Sequence, residues 1–138
     1  MRVLGIDHGT KRIGIAISDE LGVIAQPLEF ILAEPFAEFL ERLKEIIREK
    51  EVKQLVVGMP RNMDGSYGPA ASKVKEFVVV LKEYITMPIT LWDERLTSAQ
   101  ANRFLVEANV RREKRKEKVD QTAAAILLQS FLDSHIQS

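Results

Sequence analysis

The amino-acid sequence predicts an α/β fold in which a mixed five-stranded sheet carries helices on both faces. Two observations lead to this class. Three β-branched, apolar segments come first, joined by short turns, which is typical of an antiparallel meander. Segments with apolar residues at helical spacing then alternate with short apolar runs. This alternation indicates two further strands that pair in parallel through right-handed crossovers.

The meander occupies the first part of the chain. Predicted strands cover residues 2–7, 12–18 and 23–31. The links between them, His8-Gly9-Thr10 and Asp19-Glu20-Leu21-Gly22, are rich in residues that favour turns. Each link is short enough to join neighbouring antiparallel strands.

The alternating part begins at Pro35, which marks the start of the first predicted helix. Its apolar stripe consists of Phe36, Phe39, Leu40, Leu43, Ile46 and Ile47. The elements predicted after it are a strand at 54–58, a helix at 69–84, a strand at 89–92, a helix at 97–108 and a helix at 119–132. The last helix is apolar on nearly every side, so we expect it to be packed deeply.

Composition limits the class of protein. With 46% hydrophobic residues, the 138-residue chain suits a single domain, residues 1–138, that buries roughly 68% of the surface its unfolded form exposes. Twenty basic and twenty acidic residues cancel, so attraction for nucleic acid must come from a local patch. The lack of cysteine excludes disulfides and thiolate metal sites. No apolar run approaches the ~20 residues of a membrane span and no signal-peptide pattern is present, so we expect a cytoplasmic protein with no membrane contact.

Acidic residues stand at the ends of predicted elements. Asp7 closes the first strand, Asp93 and Glu94 close the last strand, and Asp120 stands at the start of the last helix. The first strand should be central in such a sheet, and ligands gather at the carboxyl ends of strands near the switch in strand order. We therefore expect acids from the three places to converge.

Converging carboxylates need a cation, because they cannot all stay ionised at close range without one. Mg²⁺ prefers oxygen ligands and assists the hydrolysis of phosphodiesters. Each acid also has a structural interpretation: Asp7 can form an Asx turn, Asp93 and Glu94 a polar turn, and Asp120 a helix cap. His8 is either a proton shuttle beside Asp7 or a bystander in the turn.

Basic residues near these acids are candidates for binding a phosphate backbone. Lys11 and Arg12 follow Asp7 closely, although strand alternation would send only one of them to the site. Arg61 and Asn62 lie in a loop rich in glycine. A charged segment before the last helix contributes Arg111, Arg112, Lys114, Arg115 and Lys116. Because glutamates are interspersed there, the segment can also be read as a solvated loop.

Four sequence motifs occur in order along the chain: IDHGTKRIG at 6–14, VGMP at 57–60 with Asp64, Gly65 and Gly68, WDERLTS at 92–98 and VDQTAA at 119–124. Together they resemble those of a known family, the YqgF (RuvX) family of Holliday junction resolvase-like proteins and pre-ribosomal-RNA nucleases. The resemblance covers nearly the whole chain. Asp-x-Gly-Thr after a strand also occurs in actin-like ATPases and sugar kinases, but these proteins need two such domains around the nucleotide.

The resemblance implies a ribonuclease H-like fold and a metal-dependent nuclease. Its Mg²⁺ or Mn²⁺ ligands and catalytic residues would be Asp7, Glu94 and Asp120, with Asp93 as the alternative to Glu94. The implied role is maturation of the 5′ end of pre-16S ribosomal RNA. The alternatives are a Holliday junction resolvase acting on branched DNA and a non-catalytic nucleic-acid-binding module of the same fold. Either a monomer or a homodimer is compatible with this role.

Overall fold

The described part of the chain forms a five-stranded sheet with helices packed against it. The structure is a computed structural model that describes residues 1–60, 67–93 and 123–134. The strands are β1 (Arg2–Asp7), β2 (Arg12–Ser18), β3 (Ala25–Leu32), β4 (Val52–Met59) and β5 (Ile89–Asp93). The helices are α1 (Phe36–Lys50), α2 (Pro69–Tyr84) and α3, which is helical throughout residues 123–134. None of these helices is long and apolar enough to cross a bilayer.

The sheet has the predicted mixed topology. Its strand order is β3-β2-β1-β4-β5, so β1 is central. β2 is antiparallel to both β1 and β3, which confirms the meander. β4 runs parallel to β1, and β5 runs parallel to β4 with α2 as the crossover between them. The helix predicted at 97–108 lies outside the described residues.

Side-chain alternation gives the sheet two faces that different helices cover. On one face, Leu4 and Ile6 of β1 and Val57 of β4 pack with α1 and α2; we call it the α1/α2 face. On the other, Val3 of β1 packs with Leu128 of α3; we call it the α3 face. Because successive residues of a strand point to opposite faces, the position of one side chain assigns its neighbours as well. Helices thus cover both faces, as predicted.

α3 lies directly on β1, where Gly5 has no side chain. A Cβ on Gly5 would lie 2.9 Å from the Cβ of Leu128 and 3.2 Å from the carbonyl oxygen of Ala124. Further along α3, the side chain of Gln129 accepts a hydrogen bond of 2.8 Å from the amide of Ala25. Ala25 begins β3, at the end of the sheet where β1 also begins. The N-terminal half of α3 therefore lies toward the carboxyl end of β1.

Asp19 sets the start of β3, which lies two residues after the position that the apolar pattern predicts. β3 begins at Ala25, although Val23 and Ile24 are apolar and β-branched. The Asp19 Oδ1 atom accepts hydrogen bonds from the amides of Val23 and Ile24 at 2.8 and 3.0 Å. These amides therefore close the turn and are not donors to the sheet.

β4 begins earlier than the sequence predicts, and the end of α1 explains why. Glu51 takes a left-handed conformation with φ 54°, which ends the helix. The chain then turns directly into the sheet, and Val52 is the first buried residue of β4. At the other end of α1, Pro35 is the N-cap residue, in agreement with the predicted start.

Candidate active site

The parallel strands β1, β4 and β5 all terminate at the same end of the sheet, and we use the word edge for this carboxyl end. The sequence predicts the metal site there. Asp7 is the last residue of β1 and is half-buried. Asp93 is the last residue of β5 and pairs with Met59, the last residue of β4. Since neighbouring strands lie about 4.8 Å apart, β4 separates the backbones at Asp7 and Asp93 by roughly 10 Å. The fold thus brings both acids to the same edge.

Strand alternation nevertheless puts Asp7 and Asp93 on different faces. Asp7 follows Ile6, whose side chain belongs to the cluster on the α1/α2 face, so Asp7 lies on the α3 face. Trp92 packs into the cluster on the α3 face. Asp93 follows Trp92 and pairs with Met59, which belongs to the α1/α2 cluster. It therefore lies on the face opposite to Asp7.

Arg12 lies on the same face as Asp7. Asp7 pairs with Gly14, and Arg12 shares the side of β2 that Gly14 occupies because it lies two positions earlier. The Arg12 guanidinium is 5.2 Å from the centroid of the Phe30 ring, a cation–π contact that extends the side chain over β3. Lys11 precedes the strand and is exposed. Of the two basic residues, the strand register brings Arg12 to the face of Asp7.

The loop between β1 and β2 is tight because of Gly9. A Cβ at this position would lie 2.3 Å from the carbonyl oxygen of Arg12, so any side chain would force the turn open. The amide of Ala33 donates a hydrogen bond of 2.9 Å to the carbonyl of Lys11, which ties the loop to the segment after β3. These contacts hold the basic loop beside Asp7, as the turn residues suggested.

Most of the other predicted site residues lie outside the described residues. They are Arg61, Asn62, Glu94, Arg111, Arg112, Lys114, Arg115, Lys116 and Asp120. Within residues 1–60, 67–93 and 123–134, no three His, Asp or Glu side chains are grouped as metal ligands would be. The convergence of Asp7 with Glu94 and Asp120 therefore stays a prediction.

His8 faces away from Asp7, toward the α1/α2 face. There it lines a cavity that the sequence did not predict. Its ring lies 4.6 Å from that of Phe77 in α2, at an interplanar angle of 44°. Burial, and then the charge of Lys73, lower the pKa of His8 from its usual value. The ring also lines a cavity of about 570 Å³ between the β1–β2 loop, the segment after β3 and α2. No local sequence pattern predicts this cavity, because its lining residues come from separate segments of the chain.

The chain is similar to known proteins along nearly its whole length. A protein of Halothermothrix orenii named "Putative pre-16S rRNA nuclease" is 47% identical over 133 residues, which make up 96% of this chain and 95% of the relative. A protein of Thermoanaerobacter pseudethanolicus with the same name is 50% identical over 135 residues, or 97% of each chain.

Solved structures share the fold at low sequence identity. Thermus thermophilus RuvC in complex with a Holliday junction substrate has a TM-score of 0.60 at 16% identity, covering 100% of this chain and 97% of that one. The Fowlpox virus resolvase in complex with Holliday junction DNA has a TM-score of 0.58 at 12% identity, covering 99% of each chain. These likenesses confirm the ribonuclease H-like fold.

A sequence profile decides the family. The profile of RuvX, described as Holliday junction resolvase, matches residues 1–134. The match covers far more than half of the 138 residues, and it agrees with the identity of 47–50% to the two relatives. The chain therefore belongs to the RuvX family.

Proposed function

We propose that this protein is a nuclease that hydrolyses phosphodiester bonds of structured nucleic acid with the help of a divalent metal ion. Its proposed substrate is the precursor of 16S ribosomal RNA, whose maturation would place the protein in the cytoplasm. Family membership and the names of the relatives support this class. The observation that carries the proposal is the position of Asp7. It ends the central strand on the α3 face, where Arg12 also lies.

The proposed metal ligands are Asp7, Glu94 and Asp120. Carboxylate oxygens are the donors that Mg²⁺ and Mn²⁺ prefer, so this donor set fits a hard divalent cation. Such a cation would polarise the phosphate and lower the pKa of a bound water. Glu94 is preferred to Asp93 because Asp93 lies on the face opposite to Asp7, and the next position of a continuing strand takes the other face.

The direction of α3 supports the inclusion of Asp120. The carbonyl of Ala124 lies against Gly5, which is two residues before Asp7. The N-terminal half of α3 lies toward the carboxyl end of β1, and Asp120 precedes Ala124 by four residues. One helical turn corresponds to 3.6 residues and 5.4 Å, so a continuing helix would carry Asp120 toward the level of Asp7.

Arg12 is the proposed phosphate contact nearest to the metal ligands. A guanidinium can donate two hydrogen bonds to a phosphate, and the cation–π contact of Arg12 with Phe30 limits the positions that the side chain can take. The other proposed nucleic-acid contacts are Lys11, Arg61, Asn62 and the basic residues of 111–116. These side chains would position the backbone without reading its sequence.

The proposal is tested by cleavage of a 5′-extended 16S RNA fragment with Mg²⁺ or Mn²⁺. We expect Asp7→Asn to reduce cleavage to the background level while the melting temperature changes little. Asp19→Asn is the matched control, because it makes the same chemical change in the β2–β3 turn and should cleave like the natural protein. Cleavage that survives Asp7→Asn, or that proceeds in excess EDTA, would contradict the proposed mechanism.

A second candidate function is the resolution of Holliday junctions, which the description of the RuvX profile favours. A four-way DNA junction has two-fold symmetry and would suit a homodimer, whereas a monomer suffices for RNA trimming. The two functions are separated by comparing kcat/KM for a four-way junction and for the RNA precursor under identical salt and metal conditions. Binding of either substrate without cleavage would instead identify a non-catalytic module.

A further inference from the structure

A cavity of about 570 Å³ opens at the sheet edge beside Asp7, on the opposite, α1/α2 face. Its inner wall is apolar and largely aromatic, with Phe36, Phe77 and the ring of His8 among the lining side chains. The Phe77 ring lies 4.6 Å from that of His8 and 5.6 Å from that of Phe39, so the wall is continuous with the core. An aromatic wall of this size suits a planar, aromatic ligand.

The mouth of the cavity is polar and carries more negative than positive charge. Glu34, in the segment before α1, and Lys73 and Glu76 of α2 line it, and all three side chains are exposed. Within the residues that the structure describes, none of the three forms an ion pair. Two carboxylates against one ammonium group disfavour a phosphate here. They favour an uncharged ligand that donates hydrogen bonds.

We propose that this cavity binds a single nucleobase with an exocyclic amino group, supplied by the nucleic-acid strand whose phosphate lies at Asp7. This assignment rests on the proposed nuclease function and names the part of the substrate that its site would recognise. Bases of unpaired nucleotides stack on aromatic side chains, including histidine, and are read through hydrogen bonds to their edges. Glutamate accepts such a bond from the amino group of cytosine, whereas uracil has no amino group to donate.

The location of the cavity favours a base that belongs to a nucleic-acid strand over a free nucleotide. His8 directly follows Asp7, and Thr10 in the same loop also lines the cavity. A strand that crosses this edge can therefore place a phosphate on the α3 face and turn the adjacent base to the α1/α2 face. The charge at the mouth disfavours the phosphate of a free nucleotide, which would have to lie close to Glu34 and Glu76.

The test measures binding without cleavage, using the full-length Asp7→Asn protein and short RNA oligomers in EDTA. Oligocytidylate and oligouridylate of equal length carry the same phosphate charge, so electrostatic attraction cancels from their comparison. We expect fluorescence anisotropy to show about tenfold tighter binding of oligocytidylate, the effect of one hydrogen bond to a charged acceptor.

Two pairs of variants assign this preference to the cavity. Val80→Trp fills the cavity from its lining, and Val79→Trp adds the same ring at the neighbouring, exposed position outside it. We expect Val80→Trp to abolish the preference and Val79→Trp to keep it. The double change of Glu34 and Glu76 to Ala should also abolish it, and the double change of Glu38 and Glu83 to Ala should not. Melting curves verify that each variant is folded.

The outcomes separate this inference from the nuclease proposal. Equal binding of the two oligomers, or a preference that survives in Val80→Trp, would overturn the base-binding cavity even if Asp7→Asn abolishes cleavage. Conversely, a preference that depends on Val80 would stand even if Asp7→Asn cleaved normally. Competition by free cytidine monophosphate, without any preference between the oligomers, would also overturn the assignment to a strand.

Discussion

At the scale of single residues, the face that a strand residue occupies decides which partners it can have. Asp93 and Glu94 are adjacent acids of similar chemistry, and sequence alone does not separate them. The pairing of Asp93 with Met59 puts it on the α1/α2 face, whereas Asp7 lies on the α3 face. Two carboxylates on opposite faces cannot readily bind one ion, since a packed layer of backbone lies between them.

This difference predicts unequal effects for two neighbouring substitutions. We expect Glu94→Gln to lower the affinity for Mn²⁺ by about 10- to 100-fold or more, because it removes an ionised ligand. Asp93→Asn should leave the affinity within about twofold of the natural value, because Asp93 lies on the face opposite to Asp7. Isothermal titration calorimetry with Mn²⁺ measures both. If Asp93→Asn has the larger effect, the assignment of the ligand is wrong.

Asp19 provides a second prediction, on stability against pH. Hydrogen bonds from the amides of Ile24 and Val23 lower the pKa of its carboxyl group. A lowered pKa in the folded state means that ionised Asp19 stabilises the turn above about pH 4, and that this contribution is lost as the pH falls through the lowered value. Urea unfolding at a series of pH values from roughly 2.5 to 7 measures how the free energy of unfolding changes with pH.

Asp19→Asn is the control for this prediction, because the amide oxygen can still accept both hydrogen bonds but does not titrate. In the variant, we expect the contribution of this turn to the free energy of unfolding to be similar at acidic and neutral pH. Its stability should therefore fall less steeply in acid than that of the natural protein. Identical acid profiles for the two proteins would show that the turn makes no contribution.

At the scale of elements, the position of α3 depends on how closely it approaches β1. Buried residues of α3, Ala124 and Leu128 among them, cover the central strand where Gly5 leaves room for the helix backbone. Trp92 also contacts α3: its ring meets that of Phe131 edge-on at 5.4 Å, and its Nε1 donates a 3.2 Å hydrogen bond to the hydroxyl of Ser130. α3 is therefore held against both β1 and β5.

Gly5→Ala tests this packing. The added methyl group would lie 2.9 Å from the Cβ of Leu128 and 3.2 Å from a backbone oxygen, so α3 must move. We expect the free energy of unfolding to fall by about 1–3 kcal/mol, the usual cost of overpacking. The measurement is a urea denaturation midpoint, with hydrogen exchange in α3 as a local readout. An unchanged midpoint would contradict direct packing of α3 on β1.

At the scale of the whole molecule, the proposed binding of negatively charged nucleic acid has to be compatible with a net charge of zero. The chain has no net charge, so nucleic acid cannot be attracted by an overall positive field. The proposed contacts are instead local: Lys11 and Arg12 lie where the β1–β2 loop leads into β2, and the others belong to the predicted loop with Arg61 and Asn62 and to the predicted segment 111–116. Local concentration of basic residues also allows the exposed acids at the mouth of the cavity to coexist with phosphate binding elsewhere on the same edge.

The salt dependence of binding tests this distribution. We expect replacement of Arg111, Arg112, Lys114 and Arg115 by Ala to reduce the slope of log K against log salt concentration by about 0.7–0.9 for each phosphate that the variant no longer neutralises. Neutralising Lys44, Arg48, Lys50 and Lys53, which are exposed around α1 and the start of β4, removes the same charge elsewhere and is the control. Equal slopes for the two quadruple variants would contradict a local phosphate-binding segment.

The sequence by itself determined the order and type of the described elements and the central place of the first strand. Hydrophobic periodicity and turn residues are local signals, so they need no knowledge of distant segments. The signals failed at Val23 and Ile24, where the hydrogen bonds that their amides donate to the Asp19 carboxylate outweigh an apolar pattern. The motifs likewise pointed to the RuvX family and to the acids at the strand ends.

Only the tertiary structure decided which of these residues face one another. It places Arg12 on the face of Asp7 and Asp93 on the other, and it assembles the cavity at His8 from separate segments. The physical reason is that the register of strand pairing sets the face on which a side chain lies, and the helix that covers that face supplies its neighbours. Both are properties of segments far apart in the chain, whereas the patterns in a sequence describe neighbours.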